Sequence, residues 1–135
     1  MKKYLYLLLA FVLTSAVMTL FEFINSFIFP FPEFLDRNNL EAVRAFTVTM
    51  PDTALIMILL GWFFGTILGT YTVLKFTKST KLIYIHAGVL TILAVINNYL
   101  FMGTDRLWFS VLTLPFFFVV AWGTKKYIFD RQNKV

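Results

Sequence analysis

Long uncharged apolar stretches account for most of the chain. They have 18, 22, 23 and 18 residues and cover positions 4–21, 53–74, 82–104 and 107–124. A helix needs roughly 20 apolar residues to cross the hydrocarbon core of a bilayer. The pattern therefore predicts an all-α, membrane-embedded four-helix bundle that forms one four-span domain over residues 1–135. We expect its spanning helices at about 4–27, 53–74, 82–103 and 107–124.

The longest polar segment lies between the first two spans. Pro30 ends the first helix, because proline lacks an amide hydrogen and restricts the residue before it. Apolar positions within residues 38–50 share one helical face, which predicts a short amphipathic helix in this outer loop. Asn38 followed by Glu41 resembles a capping box at its start. Asp52 is well placed to cap the second span.

Composition supports a membrane location. Hydrophobic residues make up 59% of the chain and charged residues 14%, whereas a soluble domain has about 45–50% apolar and 25% charged residues. The chain has no cysteine, which excludes disulfides and Cys-based metal sites. Membrane lipid is the expected partner, with a homodimer or another membrane protein left open.

The basic residues predict the orientation. Nine of the twelve Lys and Arg residues lie before the first span, between the second and third, or after the fourth. Because Lys and Arg mark the cytoplasmic side of a membrane protein, both termini are predicted to be cytoplasmic. The net charge of +5 then has a topological explanation, and no basic soluble segment suggests nucleic-acid binding. A signal peptide ending at Ala16 is the alternative, which we disfavour because the apolar stretch continues to Phe29.

Three glycines four residues apart form the strongest packing signal. Gly61, Gly65 and Gly69 share one face of the second span, so another helix can approach that face closely. The ridge fits either a homodimer interface or a seam within the bundle. We favour the seam because the third span has a small face of its own, formed by Ala87, Thr91, Ala94 and Asn98.

Glu22 is the ionisable residue that calls for an explanation, since charged groups inside spans are costly and often functional. It lies near the outer end of the first span, with Asn25 and Ser26 beside it. Asn98 lies at a similar depth in the third span. These side chains are candidates for a ligand or proton site. The alternative is a structural polar clasp between helices, because buried amides must be hydrogen-bonded.

Signals for catalysis and for metals are missing. His86 is the single histidine and stands apart from other metal-ligating residue types, so we expect it to pack near the membrane interface. There is no phosphate-binding loop, nucleophile elbow or metal-spaced His/Glu set. The sequence therefore predicts no metal, no cofactor and no enzymatic activity.

Several short patterns carry a family resemblance. The runs Glu22-Phe-Ile-Asn25-Ser26 and Met50-Pro51, together with Gly61-Trp-x-x-Gly65, resemble a group of small uncharacterised bacterial four-helix membrane proteins. The resemblance implies a multi-pass protein of the bacterial cytoplasmic (inner) membrane and implies no activity.

Three functions remain in competition. The first is a non-enzymatic module, as an accessory subunit or a binder of lipid or a small apolar ligand. The second is a dimeric proton-coupled transporter that uses Glu22. The third is an outer-leaflet enzyme that draws on Glu22, Asp36 and Asp52. We expect the surroundings of Glu22 to discriminate among these three functions. A closed hydrogen-bonded clasp would favour the module, and a water-filled cavity between helices would favour the transporter. Carboxylates grouped in an outward cleft would favour the enzyme.

Overall fold

The computed structural model describes residues 1–132, and all regular secondary structure in that range is helical. It contains α1 (Lys2–Ile28), α2 (Leu40–Thr49), α3 (Asp52–Thr77), α4 (Thr80–Phe101) and α5 (Leu107–Gln132). Four of these helices, all but α2, are long and apolar enough to cross a membrane. The prediction of an all-α protein with four helices of spanning length is confirmed.

Proline and asparagine set the helix ends around α2. The backbone amide of Phe29 donates to the Asn25 carbonyl at 2.8 Å and closes α1 just before Pro30. At the start of α2 the Oδ1 of Asn39 accepts from the backbone amides of Glu41 and Ala42. The predicted capping residue, Asn38, is therefore wrong by one position, since Asn39 caps α2.

The start of α3 differs from the predicted capping scheme. Pro51 occupies the N-cap position and Asp52 is the first helical residue. Within residues 1–132, no side chain caps this helix, because the Asp52 carboxylate pairs with Arg106 instead. A carboxylate in the first turn still interacts favourably with the helix dipole.

The last helix is longer than predicted. It runs to Gln132, eight residues beyond the expected end at Thr124. Lysine is a good helix former, so Lys125 and Lys126 mark the end of the apolar stretch without ending the helix. Lys126 lies 5.3 Å from the centroid of the Trp122 ring, a contact in which a long cationic side chain covers apolar area.

The glycine ridge of α3 packs against α1. A Cβ at Gly61 would lie 2.7 Å from the Phe21 Cβ, and one at Gly65 would lie 2.9 Å from the Thr14 backbone oxygen. A Cβ at Gly69 would overlap the Thr14 hydroxyl and the His86 ring. The ridge thus forms a seam inside the chain. The main partner of the ridge is α1. The small face of α4, on which the seam was expected, instead contributes Asn98 to a contact with α5.

Aromatic packing joins α3 to α5. Trp62 is buried, and its ring centroid lies 5.4 Å from those of Phe109 and Phe117. Phe109 and Phe117 are two turns apart on α5 and are themselves fully buried. These rings fill the interior between α3 and α5.

A buried polar contact joins three helices in the interior. The Thr14 hydroxyl donates to the Gly65 carbonyl at 3.0 Å and lies 3.2 Å from Nε2 of His86. Because a hydroxyl has only one hydrogen, His86 must donate to Thr14 from Nε2, which leaves Nδ1 as an acceptor. His86 is fully buried between the helices, and the expectation that it lies near the membrane interface stays a prediction.

Candidate functional site

A cavity of about 220 Å³ lies at the end of the bundle where α2 sits, between α1, α2, α3 and α4. We call it the α2 cavity. Seven of its lining residues are apolar: Phe29, Phe31, Val43, Met50, Ile58, Phe101 and Met102. Five are polar: Glu22, Asn25, Ser26, Thr47 and Asn97. Apolar walls with a few polar groups are typical of a ligand site.

The last turns of α1 supply most of the polar side. Glu22, Asn25 and Ser26 share a helical face because they are three and four residues apart. Asn25 is buried, and its Nδ2 donates to the Ala54 carbonyl at 3.3 Å. Its Oδ1 has no hydrogen-bond partner within residues 1–132. An unpaired buried acceptor is costly, and this oxygen is shielded from solvent in the structure.

Glu22 itself forms no clasp. Its side chain is exposed, and no hydrogen bond or ion pair involves it in the described part of the chain. The structural alternative for Glu22, a hydrogen bond across helices, is therefore not what the structure shows. Glu22 lies at the edge of the α2 cavity as its one charged lining residue.

Arg106 binds the C-terminal end of α2 and the start of α3 next to the α2 cavity. This side chain comes from the turn between α4 and α5, and its Nη1 donates to Oδ1 of Asp52 at 2.7 Å. Its Nη2 donates to the backbone carbonyls of Val48 at 2.9 Å and Met50 at 2.6 Å. Arginine suits this position because its planar guanidinium presents several donors in a fixed geometry. The C-terminal end of α2 is thereby tied to the turn between α4 and α5.

The third predicted site residue lies elsewhere. Asn98 is buried, as its helical face predicted, but its Nδ2 donates to the Thr113 hydroxyl of α5 at 3.0 Å. The neighbouring Asn97 shares the α2 cavity with Glu22. The prediction that Glu22 and Asn98 converge is therefore wrong. The face of α4 that carries Asn98 points to α5, and the adjacent face, which carries Asn97, points to α1.

A second cavity at the same end lies between α4 and α5. It has a volume of about 270 Å³ and is lined by Asn98 and Ser110 together with apolar side chains. Asn98 Oδ1 and Ser110 Oγ are buried and have no partner within residues 1–132. This cavity contains no charged group, so its chemistry is less specific than that of the α2 cavity.

Sequence reasoning found Glu22 and Asn25 but missed Asn97, Thr47 and Arg106. Local sequence does not distinguish Asn97 from the adjacent Asn98, and it gives no sign of the distant partners of Arg106. In residues 1–132, no group of three His, Cys, Asp or Glu side chains could hold a metal ion. Comparison with protein-family models, curated proteins and solved structures gave no match for this chain.

Proposed function

We propose that this protein is a small non-enzymatic membrane module that binds a lipid or a small apolar ligand in the α2 cavity. The observation that carries the proposal is the composition of the cavity: apolar side chains from α2, α3, α4 and the segments that follow α1, α2 and α4, with a polar edge that comes mostly from α1. The helix α2 and the Arg106 contacts cover the cavity on one side. An accessory subunit of a larger membrane assembly and a binder of membrane lipid are both compatible with such a module.

The cavity size limits the ligand. Sites for drug-sized ligands have volumes of about 300–1,000 Å³, and the α2 cavity, at about 220 Å³, is smaller. It would accept part of a lipid, such as a segment of one acyl chain with its head group outside, or a small apolar molecule. A whole phospholipid does not fit inside.

The proposed orientation follows from the lysines. We place both termini in the cytoplasm and the α2 cavity at the outer face of a bacterial cytoplasmic membrane, as the resemblance to small bacterial four-helix proteins suggests. The end of the molecule with α2 carries arginines balanced by carboxylates, whereas lysines are concentrated at the other end. This distribution is what the positive-inside rule describes.

A dimeric proton-coupled transporter is the second candidate. The observation in its favour is the unpartnered carboxylate of Glu22, which is free to exchange a proton. Against it stands the depth of the α2 cavity, whose deepest residues, such as Ile58 and Glu22, lie only about six residues, or roughly 9 Å, from their helix ends. The closed clasp that would have favoured the module is absent from residues 1–132, but a site confined to one end suits binding better than passage across the membrane.

The outer-leaflet enzyme receives no support from the carboxylates. Asp52 is paired with Arg106, and Oδ1 of Asp36 accepts from the backbone amide of Asn38. Neither carboxylate lines the α2 cavity with Glu22. The three groups named for catalysis are therefore not gathered around one pocket.

Filling the cavity tests the proposed function. We expect Ile58→Trp to weaken binding of octanol by about tenfold, because the larger ring occupies the space of about two methylene groups of the ligand. The measurement is a titration of fluorinated octanol, followed by fluorine NMR, with the protein held in amphipol. Val119→Trp is the matched control, since Val119 is exposed on α5 and lines none of the cavities described above. Equal octanol binding by both variants and the parent protein would refute a site in the α2 cavity.

A further inference from the structure

The two hydroxyl groups that line the α2 cavity already donate their hydrogens to backbone carbonyls. The Ser26 hydroxyl donates to the Phe23 carbonyl at 2.7 Å, and the Thr47 hydroxyl donates to the Val43 carbonyl at 2.8 Å. A hydroxyl that has donated its one hydrogen offers only acceptor lone pairs to a ligand. The polar edge contributed by Ser26 and Thr47 is therefore made of acceptors.

The other two groups add to this acceptor set. Asn25 uses its amide nitrogen on the Ala54 carbonyl and leaves its buried Oδ1 unpaired within the described chain. The ionised carboxylate of Glu22 is an acceptor only. Among the polar lining residues, Asn97 keeps both amide hydrogens and Asn25 keeps one without an assigned acceptor within residues 1–132. A ligand that meets the hydroxyl oxygens of Ser26 and Thr47 and the carboxylate of Glu22 must bring donors.

The nearby arginines do not neutralise Glu22. Arg37 lies over the Phe31 ring, 5.3 Å from its centroid, and Arg44 lies against Gly103. Arg106 pairs with Asp52. All three cations at this end thus have other contacts. The carboxylate at the cavity edge has no cation beside it in residues 1–132.

We propose that the ligand is an amphiphile with a primary ammonium head group and one apolar chain in the cavity, an inference that rests on the proposed function. The ammonium carries three donors and a positive charge, which match the acceptors and the negative charge of the cavity edge. The chain would lie against Ile58, Phe101 and Met102. Two sources share this chemistry: an aminophospholipid of the surrounding bilayer and a free long-chain amine.

Three probes with the same chain test the head-group preference. Octylammonium, octanol and octanoate are titrated into the protein in amphipol, and bound probe is measured by ligand-observed NMR. We expect octylammonium to bind about five- to tenfold more tightly than octanol, and octanoate to bind most weakly. Glu22→Gln should lower octylammonium binding to the level of octanol binding, and an unchanged thermal unfolding midpoint shows that the variant is folded.

Glu41→Gln is the matched control. Glu41 is an exposed carboxylate on α2 that does not line the cavity. The preference for octylammonium should survive this change if it comes from contact with Glu22. Loss of the preference in both variants would assign it to the general surface charge and overturn the proposal.

A comparison of lipids separates the two sources. Protein is reconstituted with phosphatidylethanolamine or phosphatidylglycerol, and lipid retained after extraction is measured by native mass spectrometry. If the protein retains phosphatidylethanolamine and Glu22→Gln abolishes that retention, the natural ligand is the aminophospholipid. If the protein prefers octylammonium but does not retain phosphatidylethanolamine, the natural ligand is a free amine. Octanol binding equal to octylammonium binding would overturn the ammonium proposal alone, while absence of binding by all three probes would overturn the proposed function with it.

Discussion

Gly65→Ala is expected to lower the free energy of unfolding by about 1–3 kcal/mol. The added methyl group would lie 2.9 Å from the backbone oxygen of Thr14, and backbone atoms cannot rotate away as a flexible side chain can. Gly69→Ala should cost at least as much, because its methyl group would overlap the Thr14 hydroxyl and the His86 ring. The measurement is unfolding of the purified protein in mixed micelles by titration with SDS.

Gly123→Ala provides the matched control for the seam. Gly123 also lies within a long helix, but a Cβ there meets nothing within 4 Å. Alanine favours the helix over glycine by roughly 0.5–1 kcal/mol, so this variant should be as stable as the parent or slightly more stable. Equal stability of the Gly65, Gly69 and Gly123 variants would rule out close packing of α1 on α3. Loss of a dimer with an unchanged monomer would instead assign the ridge to an interface between two copies.

Arg106→Ala is expected to destabilise the attachment of α2 by about 1–3 kcal/mol. The change removes the ion pair with Asp52 and leaves the carbonyls of Val48 and Met50 without their donor. Amide hydrogen exchange across α2 should then become faster, whereas exchange in the interior of α3 should stay as it is. Hydrogen exchange read by mass spectrometry checks both segments in one experiment.

Arg37→Ala is the control for the arginine prediction. Arg37 lies at the same end of the molecule, but its guanidinium lies over the Phe31 ring, 5.3 Å from the centroid, and not against α2. Removing it should change exchange in α2 little, since an exposed cation–π contact contributes only about 0.5–1 kcal/mol. Unchanged exchange in the Arg106 variant would mean that α2 is held by other contacts, such as the packing of Phe31 on Phe46.

Much of the fold follows from local sequence signals. Apolar length identifies the four long helices, and prolines 30 and 51 mark the ends of the segment that contains α2. The glycine spacing identifies the packed face of α3 without naming its partner. These features depend on residues close together in the chain, so the sequence is sufficient to predict them.

The contacts between helices are not predictable in the same way. The choice between Asn97 and Asn98 depends on whether the inward face of α4 meets α1 or α5, which is set by how the four long helices are arranged. The role of Arg106 depends on a turn that lies more than 50 residues from its partners in sequence. His86 seemed isolated because Thr14, its hydrogen-bond partner, is 72 positions away. Each of these facts requires the tertiary structure.

Photolabelling tests most directly whether the α2 cavity holds an apolar chain. The reagent is a long-chain amine with a diazirine near the end of its chain, used in native membranes, and labelled residues are located by mass spectrometry. We expect label on cavity residues from different helices, namely Val43, Ile58 and Met102. Excess unlabelled amine should prevent it. Label confined to outward-facing residues such as Val111 and Val119, and insensitive to competitor, would contradict a ligand site beneath α2.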